Sequence, residues 1–193
     1  MAWSNIFLQL ITPTGPVIGE GLLEGWQTSI ELDTFSWDLT YNPDAAPDPQ
    51  GGLMGALSSA AGGAVSGLLG LGGKNVTMGE LKMEKRFDIA SAMIHTCLDN
   101  HIPIISASIT VLNIKHGGRA IHQPGFTLVA TNGYFTKAEL DLTPTGNGVE
   151  VKERLELTFK SIVISYLKSV GKDNIPTNPF FYTAPDAPSS SPI

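Results

Sequence analysis

The segment EGWQTSIELDTFSWDLTY, Glu24 to Tyr41, changes its buried side in mid-run. From Trp26 to Leu32 the large apolar residues stand at even positions: Trp26, Ile30 and Leu32. From Phe35 to Tyr41 they stand at odd positions, Phe35, Trp37, Leu39 and Tyr41, and the polar residues switch with them. A strand shows alternate residues to opposite sides, so one extra residue exchanges the sides of everything that follows. The pattern predicts a bulge or bend near Asp33, Thr34 and Phe35, the device by which strands turn at barrel rims and sheet corners. Two short strands with a kink between them fit the same residues. Both readings give an all-β, strongly curved domain.

Upstream, Ile6 to Ile11 reads as a short buried strand and TPTGPVIGEG as a loop. Downstream, NVTMGELKMEKRF contains a strand. DIASAMIHTCLDN reads as the one helix, N-capped by Asp88, with Ala90, Met93, Ile94, Cys97 and Leu98 on its apolar side. IPIISASITVLNI places Ile105, Ala107, Ile109 and Val111 on one side of a strand. FTLVATNGYFTKAELDLT allows two readings. Asn132-Gly133 is a hairpin signal, while Phe126, Leu128, Ala130, Tyr134, Ala138, Leu140 and Leu142 keep the parity of one long strand. In VEVKERLELTFKSIVISYL, Val151, Leu155, Leu157, Phe159 and Val163 face in, and Glu150, Lys152, Arg154, Glu156 and Lys160 face out. Beyond Lys160 the outer side turns apolar at Ile162, Ile164 and Tyr166, which marks a surface for the helix or another subunit to cover.

Between these strands lies an insert, about residues 42–75. Its centre, Gly51 to Gly73, carries no charge and nine glycines. Its length suggests a membrane helix, but each glycine costs about 1 kcal/mol against alanine there, so stable membrane insertion is not expected. Leu53, Leu57, Val65, Leu68 and Leu69 fall at spacings a short helix could use, and residues of this kind seek burial. They are read as a second contact surface. Residues 1–170 are read as one domain and 171–193 as a mobile Pro/Ser-rich tail.

Composition removes several function classes. With 16% charged residues and a formal net charge of −6, the chain lacks the basic footprint of a nucleic-acid binder. The cluster Lys82, Lys85 and Arg86 is interrupted by Glu84 and reads as a solvated face. A single cysteine, Cys97, forms no intrachain disulfide. The N-terminus has no basic region ahead of its short apolar run, so no secretory signal peptide is expected.

Catalytic patterns are missing. GLLGLGGKN has Leu68 where a phosphate loop needs its first glycine and Asn75 where it needs Ser or Thr. His95 and Cys97 stand about 200° apart around a helix, so they do not grip one ion. No Gly-x-Ser-x-Gly elbow occurs, and Glu150, Glu153 and Glu156 do not form a catalytic pair. No cofactor, metal or catalytic residue is expected.

The order IFLQLI, EGWQTSIELDTFSWDLTY, a long loop, KRFDIASAMIHTCLDNH, ASITVLNI and KERLELTFKSIVISYL resembles the hemolysin-coregulated protein (Hcp) family, the tube protein of bacterial type VI secretion systems. The similarity spans about residues 5 to 168 and rests on order and spacing. It implies a small β-barrel of two antiparallel sheets with a helix packed alongside, akin to phage tail tube proteins. It implies homo-hexameric rings that stack into a tube, sheath, spike and baseplate partners, and effector proteins in the lumen. It also implies a bacterial cytoplasmic protein exported by the type VI system without a signal peptide. The loop after Tyr41 is longer than the family's, where this loop helps rings stack. A monomeric barrel carrying a small apolar ligand, or a tail tube protein of a phage-like contractile particle, would show the same residue patterns. Elemental analysis of protein purified without chelator is expected to find no stoichiometric zinc; one equivalent per chain would contradict the reading of His95 and Cys97.

Overall fold

The computed structural model describes residues 5–41, 76–114, 122–146, 148–170 and 173–183. Among the described residues, eleven strands and one helix follow in order: β1 (Ile6–Thr12), β2 (Gly15–Val17), β3 (Ile30–Leu32), β4 (Thr34–Ser36), β5 (Leu39–Tyr41), β6 (Val76–Met78), β7 (Leu81–Arg86), α1 (Ile89–Asp99), β8 (Ile104–Ile114), β9 (His122–Thr145), β10 (Gly148–Val170) and β11 (Asp173–Thr183). All pairings are antiparallel. One sheet of nine strands runs β2-β1-β8-β9-β10-β7-β4, with β3 also on β1 and β11 also on β10; β5 and β6 form a second sheet. The all-β architecture with one helix agrees with the sequence reading. Among the described residues, the hydrogen-bonded ladder does not close into a barrel.

The opening segment explains how the sheet curls without closing. β3 pairs with β1, Ile30 opposite Leu8, and β4 pairs with β7, Phe35 opposite Met83. These two strands stand at opposite ends of the path, and only Asp33 separates β3 from β4. The Asp33 N–H already bonds to Glu84 O at 2.8 Å. The parity change is therefore a transfer: the chain leaves one end of the ladder and joins the other. Ile30 and Leu32 are buried, and Phe35, Trp37 and Leu39 pack against the same core on the other parity. Trp26 precedes β3 rather than lying in it, and stacks on Phe7 with ring centroids 4.9 Å apart.

Asn132-Gly133 does not turn a hairpin. β9 is one strand of 24 residues, and Asn132 kinks it with a left-handed φ of 56°, a conformation asparagine tolerates better than most residues. The registers with β8 and β10 both pass from Gly133 to Thr131 without pairing Asn132. At this line the buried set changes parity on three adjacent strands. Ile104, Gly133 and Phe159 are buried on one side of it, and Ala107, Ala130 and Ile162 on the other. Val163, read as inward, is only half-buried, and Ile162, read as outward, is fully buried in its own chain. A register shift between Glu156 and Leu157 moves β9 by one more residue, so Phe135 and Ala138 follow each other on the same face.

The segment after 170 also departs from the expected mobile tail. Asp173–Thr183 forms β11, with Ile162 opposite Tyr182 and Ile164 opposite Phe180. The Phe180 ring lies 6.4 Å from that of Trp37, which ties the strand to the core. Residues 184–193 lie outside those described.

Gly133 shows how closely the kinked strands approach. A Cβ there would stand 2.3 Å from Thr158 O, a backbone atom. Gly133→Ala is expected to destabilise the fold by about 1–3 kcal/mol in urea unfolding, since the clash needs a backbone shift.

Candidate assembly surface

The core side of the β7–β10–β9 ladder can be followed row by row, because directly opposite residues share a face. Leu81, Leu157 and Phe135 form a buried row, and Met83, Leu155 and Ala138 form the next. Lys85, Glu153 and Leu140 form the third row. The expectation that Lys85 belongs to a solvated basic face is corrected here: Lys82 and Arg86 are exposed, whereas Lys85 and Glu153 are both fully buried. Lys85 has the inward parity of Leu81 and Met83, so its strand leaves it no outward position.

Helix α1 completes the coordination of this pair. Lys85 Nζ lies 3.0 Å from Glu153 Oε2, 2.8 Å from Asp88 Oδ1 and 2.8 Å from Ser91 Oγ, and donates to Arg86 O at 2.7 Å. Ser91 Oγ donates to Glu153 Oε2 at 2.9 Å, and His95 Nε2 lies 2.7 Å from Glu153 Oε1. Asp88 caps the helix as expected, accepting from Ala90 N–H at 3.0 Å, while Ser91 Oγ accepts from Asp88 N–H at 3.1 Å. Ala90, Ile94 and Cys97 are buried beneath the helix, but Met93, read as part of that side, is exposed. His95 and Cys97 diverge: the imidazole meets Glu153, and burial pushes the Cys97 thiol above its ordinary pKa.

Beyond this row the core face loses its cover. Phe87 N–H bonds to Val151 O at 3.0 Å, and Val151 stands opposite Leu142, making a fourth apolar row; Val149 opposite Pro144 begins a fifth. Leu140 is 50% exposed, Phe87 49%, Leu142 65% and Val149 63%. The same parity that builds the core thus continues onto an open apolar arm at the β9–β10 end. An apolar patch of this kind on a folded chain marks an interaction site.

The other side of the arm is charged and internally matched. Lys152 Nζ lies 3.1 Å from both Asp33 and Glu84, Arg154 Nη2 lies 3.0 Å from Asp141, and Arg86 Nε lies 2.9 Å from Glu150. Hydrogen bonds to Asp33 and then Glu84 raise the Lys152 pKa. Such surface pairs contribute about 0–1 kcal/mol each, so they serve mainly to keep this side solvated.

The structure separates the contact residues read from the sequence. Ile162 belongs to the core, Ile164 is half-buried against it, and Tyr166 is 59% exposed. Leu53, Leu57, Val65, Leu68 and Leu69 lie outside the described residues. Of the arm residues, Val151 was read as facing in and Leu140 and Leu142 only as sharing one strand's parity, and parity does not show where a core face ends. No helix among the described residues is long and apolar enough to cross a membrane.

Replacing one partner of the buried pair strands the other. Lys85→Met leaves Glu153 and Asp88 without their shared cation and is expected to cost about 3–5 kcal/mol in urea unfolding. The double variant Lys85→Met/Glu153→Leu is expected to recover most of that loss, and an additive double variant would contradict the coupling.

No family model and no curated protein matches this sequence. Solved structures do. A doubly substituted Hcp1 from E. coli EAEC 042 has a TM-score of 0.64 at 14% identity, over 93% of this chain and 98% of that one. Secreted protein Hcp3 from Pseudomonas aeruginosa gives 0.61 at 10% identity, over 93% and 97%. A type VI secretion system effector from Yersinia pestis gives 0.59 at 11% identity, over 93% and 99%. Along nearly its whole length, this chain has the fold of the Hcp proteins.

Proposed function

We propose that this chain is a structural tube subunit of a bacterial type VI secretion system, forming hexameric rings that stack into the expelled inner tube. The observation that carries the reading is the match to Hcp structures over 93% of this chain and 97–98% of theirs. The open apolar arm supports it, since such a face favours self-association over a free monomer. Sheath, spike and baseplate proteins are the partners this reading requires, and effectors are the lumen's cargo. Export would follow the type VI route.

The carrier reading finds less support. A cleft of about 450 Å³ is lined by Glu20, Glu31, Asp33, Arg86 and Asp88 beside Leu22 and Phe87. That charge content suits water better than an apolar ligand. On the tube reading, the insert, which lies outside the described residues, is assigned to ring stacking.

Light scattering at micromolar concentration is expected to give six chains per particle, and a monomer would contradict the reading. Removal of Gly51 to Gly73 is expected to leave rings intact and weaken their stacking in sedimentation; unchanged stacking would reduce the insert to a linker.

A further inference from the structure

Asn132-Gly133, which kinks β9 instead of turning a hairpin, carries a chemistry of its own. An asparagine followed by glycine is disposed to lose its side-chain amide, because the glycine nitrogen has no Cβ beside it to hinder attack. The Gly133 nitrogen gives its proton to solvent and attacks Asn132 Cγ. The N–Cγ bond forms, the Cγ–Nδ2 bond breaks, and the side-chain nitrogen leaves as ammonia. Water then opens the cyclic imide at either carbonyl. Breaking the new N–Cγ bond gives aspartate, and breaking the original N–C bond gives isoaspartate. Water is consumed, ammonia is released, and nothing is oxidised or reduced.

In the folded chain the group under attack is open and the attacking group is not. Asn132 is exposed, whereas Gly133 is buried between Ile104 of β8 and Phe159 of β10. The position of the missing Gly133 Cβ lies 2.3 Å from Thr158 O and 3.3 Å from Phe159 Cβ. On the other side of the kink, Thr131 stands opposite Ser106 and Ser161 and shares a hydroxyl hydrogen bond with Ser161. A peptide unit is planar and moves as one body. Bringing the Gly133 nitrogen onto Asn132 Cγ therefore swings Gly133 into the β10 backbone. Both flanking residues are paired on two sides, so the swing requires the middle of β9 to leave the ladder.

We propose that Asn132-Gly133 is a deamidation site shielded by the ladder, one that reacts when the centre of β9 opens and makes that opening one-way. The proposal stands independently of the tube reading. The isoaspartate product routes the main chain through Cβ and Cγ and adds a backbone atom between residues 132 and 133. Gly133 then no longer stands opposite Ile104 and Phe159 while Thr131 stands opposite Ser106 and Ser161. Register decides which side chains a strand buries, and this is the line where three adjacent strands change their buried parity. A chain so modified does not regain its core, and reversible unfolding becomes irreversible. The aspartate product keeps the backbone length and places its charge at an exposed position, so it leaves the ladder intact.

Peptide mapping by mass spectrometry of the full chain, held at mildly alkaline pH with and without urea, reads conversion at position 132. Conversion is expected to be at least about a hundredfold slower in the folded chain, because the reaction follows the rare open state. Asn147-Gly148, the second Asn-Gly pair of the sequence, reports that the conditions drive the reaction in urea. A folded-chain rate within about tenfold of the rate in urea overturns the shielding, and so does a position 132 that stays unconverted in urea while position 147 converts. The fraction of chains that regain the native circular dichroism spectrum on dilution from urea is expected to fall as isoaspartate accumulates at position 132. Asn132→Gly removes the amide, accepts the left-handed backbone, and is expected to keep its recovery through the same treatment. Full recovery of chains carrying isoaspartate at position 132, or an equal loss in the Asn132→Gly variant, overturns the one-way step. If that variant does not fold, the isoaspartate content of the recovered and unrecovered fractions of the unmodified chain decides, and equal content overturns the proposal.

Discussion

The fold depends on one short segment bonded to both ends of the same ladder. β3 holds β1, β4 holds β7, and a single residue, Asp33, separates them. Between β1 and β7 the ladder passes through β8, β9 and β10. A flat sheet of that width would place its ends too far apart for one residue to join. The sheet must curl, and the interior side of the curl is the core. Trp37 then meets Phe159 and Phe180, with ring centroids 6.5 and 6.4 Å away, which brings β10 and β11 against the bent segment.

What the curl does not cover, the helix must, and the helix is short. Its 11 residues reach the row of Lys85 and Glu153, where Ser91 and His95 meet the carboxylate. A buried ion pair is weak support for stability, since well-packed apolar residues often do as well. The arrangement does constrain geometry: Glu153 draws contacts from β7 and from two turns of α1, so a displaced helix would leave a buried carboxylate undersupplied. The cluster stands where cover ends, and Leu142 and Val149 lie past it. The open arm is thus a consequence of helix length against strand length.

Much of this was legible in the sequence, and the failures have physical causes. The parity change at Asp33 predicted the bend because period-two patterning survives any environment that has one buried side. Asp88 was recognisable because a cap needs a particular side chain at a particular place. Lys85 was misread because composition was weighed above parity: a lysine at an inward position of one strand and a glutamate at an inward position of another, Glu153, are together the signature of a buried pair. Ile162 was misplaced because a left-handed residue, Asn132, lies on the neighbouring strand rather than on its own. Asn-Gly suits a hairpin turn or a kink, and only the partner strands on both sides decide between them. The segment from Asp173 to Thr183 looked like a tail through Pro176 and Pro179, yet an edge strand tolerates proline.

The central claim is that this curled sheet is a building block whose arm is completed by other copies. Negative-stain electron microscopy of the purified full-length chain tests it most directly. The account predicts closed rings with six-fold symmetry and a central channel, some of them stacked. A field of single globular particles at micromolar concentration, or particles with two-fold symmetry alone, would contradict it.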